Sequence, residues 1–219
     1  MTTDTLTPPV TLPNPVVSAI PLRPGASIGL AKKGRPGSMG ALVLRSGVAH
    51  MLTADHVFRQ GGAPKLGEQI FHPGPGEPEV SRVVVARFVE LHHGAGAGIA
   101  RFEPMVGASN NALTSGVRIG PPQVPVKGDV LAKSGLMTKV TVAVVRDVRP
   151  FDLFNMVVFL EPRDGDTDPI SLDGDSGSVW YDTTTFAAKG LHIGIHKKSG
   201  LAIASQMTLV MQKLVLTWA

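Results

Sequence analysis

Ser171-Leu172-Asp173-Gly174-Asp175-Ser176-Gly177-Ser178 is the stretch on which the reading of the fold turns. Gly174 and Gly177 flank Ser176 and permit backbone angles that an ordinary side chain resists. A tight turn of this kind exposes a hydroxyl and aims backbone N–H groups at one point, which is what attack on a carbonyl requires. The segment is not the G-x-S-x-G elbow of an α/β-hydrolase, because position 178 is Ser and no helical pattern follows. Taken by itself, it also fits an ordinary Asp/Gly/Ser β-turn.

Outward from this turn the chain reads as short β-type runs: 39–44, 49–52, 80–89, 98–102, 126–132, 140–148, 156–160, 178–181, 191–195 and 201–205. Gly- and Pro-rich joints separate them, so the pattern predicts an all-β sandwich or barrel. Only 207–218 carries a helical pattern, with Leu209, Val210, Lys213 and Leu214 on one side. The Pro-rich segment 1–24 predicts an extended arm. The Gly/Pro-rich stretch 116–126 predicts a joint between two β halves, 25–116 and 117–219.

Composition narrows the function. Of 219 residues 43% are hydrophobic and 17% charged, which excludes a disordered or coiled-coil chain. A formal charge of +4, dispersed along the chain, gives no footprint for nucleic acid. The absence of Cys excludes a disulfide framework and Cys-ligated metal. Pro8, Pro9, Pro13 and Pro15 break every candidate signal segment, and no apolar run is long enough to span a bilayer. The expectation is a cytoplasmic protein with no membrane partner. His92 and His93 with Glu90 offer metal-ligand types, but adjacent residues on a strand face opposite ways, so no metal and no cofactor is expected. The Gly94–Gly98 run lacks the G-K-[ST] of a phosphate-binding loop.

A second element, Leu52-Thr53-Ala54-Asp55-His56-Val57, ends an apolar run on a histidine. Together T-A-D-H and G-D-S-G-S resemble the general-base and nucleophile motifs of the trypsin/chymotrypsin-like serine proteases. The likeness extends, with weaker motifs, over residues 25–218. It implies two antiparallel six-stranded β-barrels with a short C-terminal helix and a site in the cleft between them. It also implies Ser176 as nucleophile, His56 as general base, and the N–H groups of Gly174 and Ser176 as the oxyanion hole. Gly190-Leu191-His192-Ile193-Gly194 is similar to the G-I-H-W-G of glutamyl endopeptidases. By that likeness Ile170, Ser171, His192, Ile193 and Gly194 line the substrate pocket, and cleavage after acidic residues is implied. Ile170 offers no carboxylate for a Lys or Arg substrate side chain.

The third triad member is where the pattern departs. Gly96 stands where the family places its Asp, and no Asp occurs between His56 and Asp129. Three readings stay open: a Ser–His dyad oriented by water, Glu90 or a neighbouring His; a site completed by a partner; or a peptide-binding pseudoprotease. The partners implied are a protein or peptide substrate and a regulatory protein.

Overall fold

A computed structural model describes residues 21–30, 34–60, 62–76, 82–152 and 155–219. Two antiparallel sheets account for nearly all of its regular structure. The first contains β1 (Ser27–Leu30), β2 (Gly37–Ser38), β3 (Ala41–Arg45), β4 (Val48–Ala54), β5 (Gln69–His72), β6 (Val83–His92) and β7 (Ala97–Phe102). The second contains β8 (Gly120–Pro122), β9 (Val130–Gly135), β10 (Lys139–Asp152), β11 (Asn155–Pro162), β12 (Val179–Asp182), β13 (Ala187–Ile195) and β14 (Ala202–Gln206). The last strand, β15 (Thr217–Trp218), returns to the first sheet, beside β3. Residues 1–20 of the Pro-rich arm lie outside the described residues. Its end is tied down: the Leu22 N–H donates to Gly107 O, and the Leu113 N–H to Pro24 O, each at 2.8 Å.

Local chemistry sets the strand boundaries. Ser46 and Gly47, both at positive φ (50° and 78°), form the two-residue turn that matches the twist of the β3–β4 hairpin. Along β4 the residues from His50 onward are buried, so the strand runs from solvent into the interior as it approaches His56. In the second sheet β12–β9–β10–β11–β14–β13 closes on itself through a β12–β13 pairing, with β8 added parallel to β13. This ring surrounds Leu131, Val145, Val158, Leu160, Trp180, Ala202 and Ala204. The first sheet, ordered β15–β3–β4–β7–β6–β5–β1–β2, is a half-barrel over Ile28, Met51, Phe58, Ile70 and Phe88. The fold is thus the expected all-β, chymotrypsin-like one, with a difference from two equal six-stranded barrels. The edge strands β2 and β15 hold two residues each, and no pairing between them closes the sheet among the described residues.

A shared core joins the halves. Val43, Leu52, Ala97 and Ile99 pack with Val179, Leu191, Met207 and Val210. Of two short helices, α2 (Met207–Lys213) lies at this seam, and α1 (Asp55–Phe58), which follows β4 directly, packs into the core of the first sheet. No helix of the described residues is long and apolar enough to cross a membrane.

The α2 helix stops earlier than the helical pattern of 207–218 suggests. Leu216 N–H donates to Met211 O at 2.9 Å and Val215 N–H to Gln212 O at 3.2 Å, closing the helix in a Schellman motif. That motif puts Val215 at φ 53°, a left-handed conformation that a β-branched side chain resists, with 75% of the residue exposed. Val215→Gly therefore relieves strain without losing buried area, against a higher chain entropy when unfolded. The expected gain is about 0.5–1 kcal/mol, read as a rise in Tm of ~1–4 °C.

Candidate active site

The turn read from the sequence has the expected geometry. Gly174 and Gly177 take φ values of 108° and 94°. The N–H groups of Asp175, Gly177 and Ser178 are occupied, donating to Leu172 O, His192 O and Asp175 O. Those of Gly174 and Ser176 donate to no backbone carbonyl among the described residues. The turn therefore leaves the Gly174 and Ser176 amides without a backbone acceptor, and two such donors converging on one point would stabilise an oxyanion.

Contacts with the first sheet bring this turn to the T-A-D-H segment. Ser38 N–H donates to Ser176 O at 2.8 Å, and Ser38 Oγ–H donates to Gly174 O at 2.9 Å. Thr53 Oγ1–H donates to Ser38 O at 2.8 Å. A Cβ at Gly177 would sit 2.0 Å from Thr53 Oγ1 and 3.1 Å from Ala54 N, so only glycine allows the approach. Ser176 and His56 are thus carried by two chain segments in direct contact. His56 lies on α1, held by the buried Val57 and Phe58, with its side chain 42% exposed.

Beneath the turn lies a buried ion pair. Asp175 Oδ2 accepts from Lys133 Nζ at 2.9 Å, and both side chains are fully buried. Asp175 also accepts from the N–H groups of Met137, Thr138 and Leu172 and from Thr138 Oγ1–H. Burial pushes the carboxyl toward neutrality, but the Lys133 ammonium and these donors outweigh it and hold the pKa at about 2. Desolvation draws the Lys133 ammonium below its usual range.

The pocket residues do not all converge. Ser171 Oγ lies 2.5 Å from His192 Nε2, and Trp180 Nε1–H donates to His192 Nδ1 at 3.3 Å. Indole can only donate, so Nδ1 accepts, Nε2 carries the proton, and the Ser171 hydroxyl accepts that proton while keeping its own to give. Burial, reinforced by the Lys133 charge, lowers His192 to about 3, so the ring is neutral near pH 7. The His192 backbone is fixed to the nucleophile turn by Gly177 N–H to His192 O and His192 N–H to Ser178 O, both 2.8 Å. Ile170 instead belongs to the core of the closed barrel beside Trp180. Ile193, the unpaired residue of a β13 bulge, turns toward the first sheet and packs on Gly96, and Gly194 pairs with Ile203 with no atom near its Cβ position.

At the position of the missing acid, Gly96 is left-handed, with φ 59°. A Cβ there would meet Ser205 Oγ at 3.2 Å and Ile193 Cγ2 at 3.3 Å. Ser205 Oγ is buried with no hydrogen-bond partner among the described residues. Glu90, an expected orienting group, is instead bound to Arg45 Nη1 at 2.5 Å. His92 Nδ1 accepts from Ala95 N–H and caps a 3-10 turn at His93–Ala95. No cluster able to hold a metal occurs among the described residues. The carboxylate beside His56 is one that the sequence reading passed over. Asp55 Oδ1 is 3.7 Å from His56 Nδ1, while Oδ2 is 3.1 Å from His93 Nδ1 and 3.6 Å from Arg59 Nη1. Desolvation raises the Asp55 pKa, but hydrogen bonding to the two imidazoles outweighs it and holds the group below its usual value.

No protein-family profile and no curated protein matches the chain. Solved structures do. The chymotrypsin of Cellulomonas bogoriensis aligns over 91% of this chain and 99% of its own, with TM-score 0.64 and 14% identity. A protease from Nocardiopsis covers 90% and 98%, with TM-score 0.62 and 14% identity. A glutamic acid specific serine protease, described as using a novel histidine triad in substrate binding, covers 90% and 100%, with TM-score 0.65 and 19% identity. These neighbours are chymotrypsin-like serine proteases, and the likeness establishes the fold.

The Lys133–Asp175 pair gives a test of the turn. The folded pKa of Asp175 lies below the unfolded value of ~3.9, so its contribution is complete above that value and is lost as pH falls toward about 2. Urea unfolding between pH 7 and pH 2 is expected to show this loss in the native chain and a flatter dependence in Asp175→Asn. At pH 7 that variant, with its lysine stranded, is expected to be less stable by about 3–5 kcal/mol.

Proposed function

On this chymotrypsin-like fold, we propose a serine endopeptidase that forms an acyl-enzyme on Ser176. The observation that carries the reading is the meeting of the His56 segment with a Ser176 turn whose Gly174 and Ser176 amides donate to no backbone carbonyl among the described residues. Ser176 Oγ attacks the scissile carbonyl while its proton passes to His56, and the oxyanion forms against Gly174 N–H and Ser176 N–H. Collapse expels the amine, which takes the proton from His56. Water, deprotonated by the same imidazole, then frees Ser176.

For the residue preceding the scissile bond we propose an acidic side chain. Ser171 and His192 are joined as one polar unit against Trp180, both of them buried. With its oxygen accepting from His192, the Ser171 hydroxyl keeps its own proton to donate, which suits an acceptor. A carboxylate placed there would also favour protonation of His192, converting the contact to a charge-assisted one. The glutamic acid specific neighbour, with its histidine triad, lends support. A second reading, a peptide-binding module without turnover, draws on Gly96 and the orphaned Ser205 hydroxyl.

A fluorophosphonate probe separates the two. Covalent labelling of the native chain, absent from Ser176→Ala, is expected; an unlabelled native chain supports the binding module. In a peptide library the expected preference is for Glu or Asp over Leu, Phe and Lys before the cleaved bond. His192→Ala is expected to cut kcat/KM for the Glu substrate by on the order of 10- to 100-fold, the loss of roughly one charge-assisted hydrogen bond. Unchanged selectivity in that variant removes the acidic preference and leaves the acylation step standing.

A further inference from the structure

We infer that Asp55 is the positioning carboxylate of His56, with His93 as the strut that holds it. The inference rests on the proposed hydrolysis and supplies what that mechanism lacks at position 96.

Adjacent residues on a strand would face apart, but the chain leaves β4 at Ala54 and enters a helical turn at Asp55. The Asp55 and His56 side chains therefore fan out from one turn and remain within reach of each other. The carboxylate is divided between its neighbours. Oδ2 faces His93 Nδ1 and Arg59 Nη1, which fix the plane of the group, while Oδ1 faces His56 Nδ1. Only 13% of the Asp55 side chain is exposed, so little water competes for it. Its backbone is pinned as well, with Asp55 N–H donating to Gly96 O at 3.0 Å.

Gly96 now has a role of its own. Its left-handed conformation closes the 3-10 turn, with Gly96 N–H donating to His93 O at 2.9 Å, and that turn carries His93 to Asp55. Beyond Gly96 the space is taken by Ile193 and Ser205. Position 96 thus gives no carboxylate and instead builds the mount for another.

The separation of 3.7 Å is an ion-pair distance, longer than a hydrogen bond. It closes as His56 gains a proton from Ser176, when attraction to the carboxylate is greatest; catalytic hydrogen bonds are often long in the free enzyme and tighten during reaction. The charged or titratable groups facing Asp55 are His56 and Arg59 from its own helix and His93 from the 3-10 turn.

Two readouts test the assignment. The first is the rate of fluorophosphonate labelling. Asp55→Asn is expected to slow it by on the order of 10²- to 10⁴-fold, the scale of losing an orienting carboxylate. His93→Gln, at a side chain 65% exposed, is expected to give a smaller loss. Glu90→Gln is expected to match the native rate. The second readout needs no turnover: proton NMR of the Ser176→Ala protein as pH is lowered, so that solvent supplies the proton Ser176 would have given, assigned by nitrogen labelling of histidine. A downfield His56 Nδ1–H resonance is expected, lost on adding Asp55→Asn and kept on adding Glu90→Gln. A resonance indifferent to Asp55, or an Asp55→Asn protein labelled at the native rate, overturns the assignment. A native chain that never labels yet loses this resonance with Asp55 instead overturns the hydrolytic reading and leaves the Asp55–His56 pair in place.

Discussion

The geometry of the site depends on one buried carboxylate. Asp175 precedes Ser176 and accepts hydrogen bonds from three backbone amides, one hydroxyl and the Lys133 ammonium. An ionised acid without exposure is tolerable only when its lone pairs are filled this way. Filling them draws the 136–138 loop and Leu172 around a single point. Ser176 sits on the resulting turn, next to the carboxylate that gathers these donors. A lysine within the chain supplies the countercharge, so the pair forms without any processed terminus.

The first sheet meets this turn through small polar groups as well as apolar packing. Ser38 binds two carbonyls of the turn and is itself bound by Thr53. Ser38 lies on a two-residue strand and Thr53 near the end of a seven-residue one. A short bonded bridge therefore connects the element that presents His56 to the element that presents Ser176. The shared core of Leu52, Ile99, Leu191 and Val210 supplies much of the cohesion between the halves, while the Ser38 bridge sets their register.

Much of this architecture could be read in the residues beforehand, because hydrophobic runs bounded by Gly and Pro mark strands whatever their partners. Each of the ten runs read from the sequence overlaps an observed strand. Strands β1, β2, β5, β8 and β15 lie outside those runs: β1 is a four-residue Ser-Ile-Gly-Leu, β2 and β15 hold two residues each, β5 has a mixed pattern, and β8 is Gly-Pro-Pro. They exist because a neighbouring strand offers its edge, which local sequence does not record. The two motifs were legible for the same local reason. Lys133, Ser38 and Trp180 were not, since their roles arise from contacts far along the chain. Asp55 stood in plain view inside T-A-D-H. It was missed because the acid was sought on a distant strand, and because the change from strand to helix at Ala54 decides whether neighbouring side chains can meet.

The Lys133 charge also reaches beyond the turn. Its ammonium lies 5.4 Å from the centre of the Trp180 ring, and that ring stands edge-on to His192 at 6.0 Å. After burial, Lys133 is the strongest influence opposing protonation of His192, while Asp175 pulls the other way. The cation that keeps the nucleophile turn formed thereby helps keep the neighbouring imidazole neutral. With the ring neutral and its Nδ1 given to Trp180, the proton sits on Nε2, 2.5 Å from Ser171 Oγ, and the Ile203 backbone is a further hydrogen-bond partner of the ring. The charge state of this polar unit is therefore set first by burial, with the Lys133 charge of the ion pair beneath the Ser176 turn reinforcing it and Asp175 opposing it.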